Sequence, residues 1–222
     1  MKNQKYRLGV DVGGTFTDFV LSSGDGSNLA FHKEPSIPQD PALAVEMGTQ
    51  HLIRTLGISS GAIELVVHGT TLGLNAIIQQ RGAKVALIVS RGNRDVMEIA
   101  RARMPNSYDF TAGREAPLIP RESVFEVSSR GLADGSILTD IDELEISKLA
   151  EEIRKTGHEA VAVMLLNSYA NADLENRLCD FLREKLDTIP VSASSEIWPE
   201  MREYERALVT CMNMYIRPLK DQ

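Results

Sequence analysis

The sequence predicts an α/β protein, and three observations carry that prediction. Apolar residues recur with period two in some stretches and at helical spacing in others, and the two kinds of stretch alternate along the chain. Glycine, proline and aspartate fall between the stretches, where turns and helix caps need them. The composition is that of an ordinary globular protein, 222 residues with 43% hydrophobic and 25% charged side chains, enough to build a core. A net charge of −7, with no Lys/Arg run, argues against a general nucleic-acid binder. No apolar run reaches the roughly 18 residues of a membrane-spanning helix, and no apolar run precedes the first strand as a secretory signal would. Cys179 and Cys211 stand at no metal-binding spacing and read as buried thiols. The expectation is a soluble cytoplasmic protein with neither nucleic-acid nor membrane partners.

The elements follow in order. Leu8, Val10 and Val12 alternate with Arg7, Gly9 and Asp11 as in a half-buried strand, and Gly13-Gly14 breaks the run before a second strand from Phe16 to Leu21. The turn Gly24-Asp25-Gly26-Ser27 leads to a third strand, Leu29 to Lys33. Asp40-Pro41 caps and starts a helix that runs to Leu56 and ends at Gly57, with Ala42, Val45, Thr49, Leu52 and Leu56 expected inward. A strand (Glu64 to Val67), a helix (Leu72 to Arg81) and a strand (Lys84 to Val89) complete the order β-β-β-α-β-α-β, that of a ribonuclease-H-like unit. Residues 92–122 are polar and rich in proline and are expected to form a connecting or site-lining loop. Residues 123–196 predict a small β-α-β-α-β domain whose first helix is capped by Asp140, with Leu144, Leu149 and Ile153 inward. Residues 197–222 predict a closing helix that packs back on a first lobe spanning 1–91.

The segment Asp11-Val12-Gly13-Gly14-Thr15-Phe16-Thr17-Asp18 is the richest in chemistry. Paired glycines let backbone amides approach an anion without Cβ obstruction, and inward-pointing turn amides form a phosphate nest. Thr15 and Thr17 add hydroxyls, and Asp11 is placed to hold a hydrated Mg²⁺, which takes few carboxylates and keeps its waters. Together these groups can position phosphates and neutralise their charge. A plain Gly-Gly hairpin with β-favouring threonines is the simpler alternative, but the coincidence of Asp, Gly-Gly and two Thr at this place favours function.

A second segment, His68-Gly69-Thr70-Thr71 with Asn75 one turn on, lies at a strand's C-terminal end, where α/β sheets place ligands. Thr70 or Thr71 can cap the following helix. His68 can be a proton donor, a metal ligand, a hydrogen-bonding positioner or a histidine satisfied by a backbone carbonyl. His32, His51 and His158 stand singly, without a carboxylate or cysteine at ligand spacing. Arg91 to Asp95 is a weaker candidate, Arg101 and Arg103 could clamp a carboxylate, and Glu200 to Arg206 reads as a solvated helical face.

Leu8 to Asp18, His68 to Thr71, Gly92 to Asp95, Pro117 to Glu126 and Arg202 to Arg206 together resemble the N-terminal region of the hydantoinase A/5-oxoprolinase family, in the family's order and over nearly the whole chain. The resemblance implies an actin-like ATPase fold, use of ATP with Mg²⁺, and phosphorylation of a carbonyl or lactam oxygen. It implies Asp11, Gly13, Gly14, Thr15, Thr17 and Asp18 in the first phosphate motif, with Asp11 at Mg²⁺ through water. It also implies a second signature of His68, Gly69, Thr70, Thr71 and Asn75, with Asp11, His68, Thr70 and Thr71 nearest the chemistry. Gly73-Leu74 and Asn93 depart from the family's usual residues. Family members run several hundred residues longer and carry a second Gly-Gly loop and the adenosine site; here Gly13-Gly14 is the one adjacent glycine pair. The chain is therefore expected to be part of a longer protein, inactive by itself and working with a C-terminal ATPase lobe and a hydantoinase B type subunit. The expected activity is ATP-dependent hydrolysis of a cyclic amide such as hydantoin, N-methylhydantoin or 5-oxoproline. An acetone-type carboxylase subunit and a non-catalytic assembly module are the alternatives.

Overall fold

A computed structural model describes residues 4–37, 40–102, 108 and 116–220. The chain divides into two compact units, one ending at Arg81 and the other beginning at Gly82.

In the first unit, β1 (Tyr6–Val12), β2 (Phe16–Ser23) and β3 (Leu29–Pro35) form an antiparallel meander, and α1 (Pro41–Leu56) leads to β4 (Ile63–Thr70), which pairs parallel with β1. The sheet order is β3-β2-β1-β4, and α2 (Leu72–Ile78) follows. Period-two alternation sends Leu8, Val10, Val12, Phe19 and Leu21 to one face, where they meet Leu52 of α1. Asp40 accepts a hydrogen bond from the Leu43 amide at 3.1 Å, Pro41 opens the helix, and Gly57 closes it at φ 63°. The buried stripe of α1 is Ala44, Gly48 and Leu52, a shift of the expected face that leaves Leu56 exposed. The cause is Gly48: a Cβ there would stand 2.2 Å from the Phe19 ring, so the helix turns its glycine toward the sheet and approaches closely.

In the second unit, β5 (Val85–Ser90), α3 (Val96–Ile99), β6 (Val124–Val127), β7 (Arg130–Gly131), β8 (Ile137–Thr139), α4 (Glu143–Lys155), β9 (Ala160–Met164), α5 (Asp173–Leu186), β10 (Val191–Ala193), α6 (Ser194–Ile197) and α7 (Glu203–Lys220) follow in order. The main sheet is parallel with order β10-β9-β5-β6, and β7 and β8 make a separate two-stranded ladder.

Three expectations are corrected here. The strand at 84–89 was expected in the first lobe, but β5 is central in the second sheet: all six of its residues are buried, which suits a parallel strand covered on both faces. The closing helix α7 belongs to the second unit as well, where it packs on β9 and β5. Its Tyr215 ring occupies the space a Cβ on Gly82 would fill, which fixes how the chain enters this unit. In α4 the cap is Asp142, whose carboxylate accepts from the Leu144 and Glu145 amides; Asp140 instead pairs with Arg177. That register puts Leu144 at 74% exposure and sends Ile146, Leu149, Ala150 and Ile153 inward. Among the described residues no helix is long and apolar enough to cross a membrane.

Candidate functional site

The carboxylate of Asp11 stands at the end of β1, level with Asp18 on β2 and Gly69 on β4. These three share the sheet face opposite α1, because Val10, Val12 and Phe19 occupy the other one. Asp11 is exposed, and its Oδ1 would stand 3.7 Å from a Cβ on Gly69, so the glycine leaves the space beside the carboxylate open. Asp18 is paired with Lys33 at 3.0 Å.

Beyond Val12 the chain reverses. The Gly13 amide donates to the Phe16 carbonyl at 3.0 Å, so it closes the turn and is spent. The amides of Gly14 and Thr15 donate to no group among the described residues. Neither Gly13 nor Gly14 adopts a positive φ; the glycines are needed for space. A Cβ on Gly13 would meet the Phe16 carbonyl at 2.8 Å, and one on Gly14 would meet Asn75 Nδ2 at 3.1 Å. The start of α2 closes over this turn. The Thr71 amide donates to the Val12 carbonyl at 3.3 Å, as does the Thr70 hydroxyl at 3.3 Å, and Asn75 Nδ2 donates to Thr71 Oγ1 at 3.2 Å. Thr71 is the N-cap residue of α2, but its hydroxyl serves Asn75 rather than a helix amide.

The structure therefore brings Asp11, Gly13, Gly14, Thr15, Gly69, Thr70, Thr71 and Asn75 to one end of one sheet. It separates two residues expected with them. Thr17 is fully buried beneath the turn, with its hydroxyl 3.0 Å from Ser36 Oγ. His68 pairs with Val10 and so faces α1, where with Val12, Val45 and Val66 it lines a cavity of about 430 Å³.

Ser36 carried no motif in the sequence. Its hydroxyl donates to the Gly13 carbonyl at 2.8 Å and its amide to the Thr15 carbonyl at 3.0 Å. It braces both sides of the turn from just beyond β3, 23 positions after Gly13. The only available signal was its place after a predicted strand that pairs with the motif strand.

The weaker candidates lie in the second unit. Arg91 pairs with Glu145 at 2.8 Å and Arg101 with Glu205, while Arg103 lies outside the described residues. The segment read as a solvated face is not one. Arg206 is fully buried: Nη2 donates to the Leu165 carbonyl at 2.7 Å, Glu203 stands 3.6 Å away, and burial pushes the guanidinium pKa down. Glu175, also fully buried, accepts from the Leu165 amide, the hydroxyls of Ser168 and Ser194, and the Ser195 amide. This network holds most of its buried polar groups in hydrogen bonds, although Arg206 Nε and Ser195 Oγ have no partner among the described residues.

With this geometry in hand, the chain can be set beside known proteins. A family model described as the hydantoinase/oxoprolinase N-terminal region matches residues 7–186. The caprolactamase subunit alpha of Pseudomonas jessenii is 35% identical over 225 residues, 99% of this chain and 32% of that one. An uncharacterised protein of Methanocaldococcus jannaschii is 37% identical over 217 residues, 96% of this chain and 31% of that one. The nucleotide-free structure of an acetone carboxylase that carries out ATP-dependent acetone carboxylation superposes with a TM-score of 0.88 at 28% identity, over 97% of this chain and 32% of that one. The chain spans about a third of the length of these curated relatives and about a fifth of the longer 5-oxoprolinases it also matches.

Proposed function

The chain belongs to the hydantoinase/oxoprolinase family, and on that premise we propose that it is the N-terminal part of an ATP-dependent hydrolase of cyclic amides, which acts by phosphorylating the amide carbonyl oxygen. One observation carries the reading: an exposed carboxylate, Asp11, beside a turn whose Gly14 and Thr15 amides have no partner among the described residues. Unpartnered turn amides next to a carboxylate suit a phosphate chain and its hydrated Mg²⁺, and Gly69 leaves the space beside the Asp11 carboxylate open. ATP, when bound, supplies the phosphoryl group. The Gly14 and Thr15 amides would hold phosphate oxygens, Asp11 would hold water on Mg²⁺, and Asn75, tied to Thr71, would fix the far wall. Thr17 acts from below, through Ser36, as a positioning residue. His68 is left on the α1 face, and no role at the phosphates is assigned to it. A lactam substrate is favoured over a ketone because the caprolactamase subunit is more similar in sequence than the acetone carboxylase subunit, at 35% against 29% identity. Cytoplasmic location and a hydantoinase B type partner belong to the same proposal.

The test is turnover by the longer protein with its partner subunit. ATP-dependent opening of hydantoin, 5-oxoproline or caprolactam is expected, and Asp11→Asn should lower kcat by about 10²–10³-fold, the size of losing one preorganised electrostatic group. Wild-type turnover in Asp11→Asn would remove Asp11 from the mechanism. ATP-dependent carboxylation without lactam hydrolysis would select the carboxylase alternative.

A further inference from the structure

We propose that His32, Glu34 and His51 form a site for a divalent cation of the zinc class that clips β3 to α1. His32 and Glu34 are two apart on β3 and share the face covered by α1, and His51 reaches the same point from the helix. One donor atom from each residue lies within 4.8 Å of the other two. His32 Nε2 stands 2.7 Å from Glu34 Oε1, and the His32 and His51 rings stack at 4.0 Å with an 11° tilt.

The packing beneath makes this convergence possible. Phe19 pairs with His32 across the β2–β3 ladder, and Gly48 lets α1 settle onto the Phe19 ring. One turn further along the helix, His51 is thereby brought over His32. With an ordinary side chain at position 48, the helix would stand off the sheet and the two imidazoles would separate.

Two imidazoles and a carboxylate suit Zn²⁺, Co²⁺ or Ni²⁺ and not Mg²⁺ or Ca²⁺, which prefer oxygen donors. Tetrahedral zinc with ligands at 2.0–2.2 Å sets its donors about 3.4 Å apart, so the His32–Glu34 pair, at 2.7 Å, must open slightly while His51 moves in and tilts out of its stack on His32. His51 is exposed and free to make that movement. The cation takes the place of the proton between His32 and Glu34, and a water completes the fourth position. Lys33 points to the opposite face, where it is paired with Asp18, and so does not repel the ion.

The site stands apart from the phosphoryl-transfer reading and fails or survives separately. The test uses the untagged 222-residue chain, freed of metal with a chelator and titrated with Zn²⁺ by calorimetry and with Co²⁺ by visible absorption. One equivalent is expected, with the intense d–d bands of four-coordinate Co²⁺, a rise in Tm on zinc addition, and no competition from Mg²⁺. His51→Ala and Glu34→Gln should each weaken zinc binding at least tenfold, whereas His68→Gln should leave it unchanged. Cys179 and Cys211 are buried and do not compete. No zinc uptake at micromolar protein, or uptake undiminished in a correctly folded His51→Ala variant, would overturn the proposal.

Discussion

β4 and β9 are both apolar strands in parallel pairing, and their surroundings could hardly differ more. β9 lies between β10 and β5, with α7 packed on it and α5 close by, and each of its five residues is buried. β4 is the edge strand of its sheet, and its Leu65, Val66 and Val67 are 48%, 58% and 58% exposed. The second unit surrounds its parallel sheet with helices and holds even an arginine and a glutamate in its interior. The first unit covers one sheet face with the long helix α1 and leaves Phe16, Val20, Phe31, Leu65 and Val67 exposed on the opposite face, the one that also carries Asp11 and Asp18. Hydropathy along a strand thus says how apolar it is, not what covers it. Burial is concentrated in the second unit, and the exposed candidate site lies in the first.

Glu175→Ala strikes the second unit hardest. It removes the acceptor for four donors at 2.7–3.0 Å, three of them buried, and takes a compensating charge from the buried Arg206. Loss of one partner from such a network costs about 3–5 kcal/mol, to be read from the urea midpoint of the second unit. Glu175→Gln, which keeps an acceptor oxygen, should recover part of that loss. A cost below that of an ordinary surface substitution would mean the interior is less sealed than its burial indicates.

The comparison itself is tested by making one substitution in both strands. Val163→Thr places a hydroxyl where no residue is exposed and should cost about 1–3 kcal/mol. Val67→Thr, on the open strand, should stay within about 0.5 kcal/mol. Equal costs in paired denaturation curves would break the contrast between β4 and β9.

What the residues disclosed follows the same division. The Asp11-Gly13-Gly14 turn, the α1 caps and most strands were legible because each rests on local chemistry: a pleat, a glycine gap, an Asp-Pro start. The placement of β5 was not, because a short apolar strand carries no mark of which sheet it joins. Arg206 misled because alternating charges at helical spacing look solvated, and its burial is set by Leu165, 41 positions away. Leu144 misled through the cap: a shift from Asp140 to Asp142 rotates the helix by about half a turn. Ser36 and the His32, Glu34 and His51 cluster were hidden for one reason, since each gathers its partners across strand pairings or helix docking that no short motif records.

A smaller effect is expected at Ser36, where the first unit does have a dense polar contact. Ser36→Ala deletes the hydroxyl shared between the Gly13 carbonyl and Thr17 Oγ1 and should cost about 1 kcal/mol. Its sharper signature is local. Faster hydrogen exchange is expected at the Gly13 and Ser36 amides, with the second unit's amides unchanged. Slower or unaltered exchange at both would show that the turn holds without its brace.

The smallest effect is one of pH and belongs to the second unit. His158 is buried, with Nδ1 2.8 Å from Thr156 Oγ1, Nε2 3.1 Å from Ser123 Oγ, and the Phe125 ring edge-on at 5.5 Å. Burial, reinforced by the Lys84 charge, pushes its pKa below the ordinary 6.5. Above pH 6.5 the imidazole is neutral in both folded and unfolded chains, and it adds no pH dependence. As pH falls below 6.5 the unfolded chain takes up the proton first, so stability declines until the depressed folded pKa is passed and then levels off. His158→Gln, which keeps a polar group near Ser123 and Thr156, should flatten that part of the curve while lowering stability at neutral pH slightly. Denaturation midpoints of the second unit between pH 5 and 7.5 read the difference. A wild-type curve that stays flat through this range would mean that the ring takes its proton in place, through a rearrangement of Ser123 and Thr156, and that the interior of the second unit yields to charge as readily as the open strand of the first.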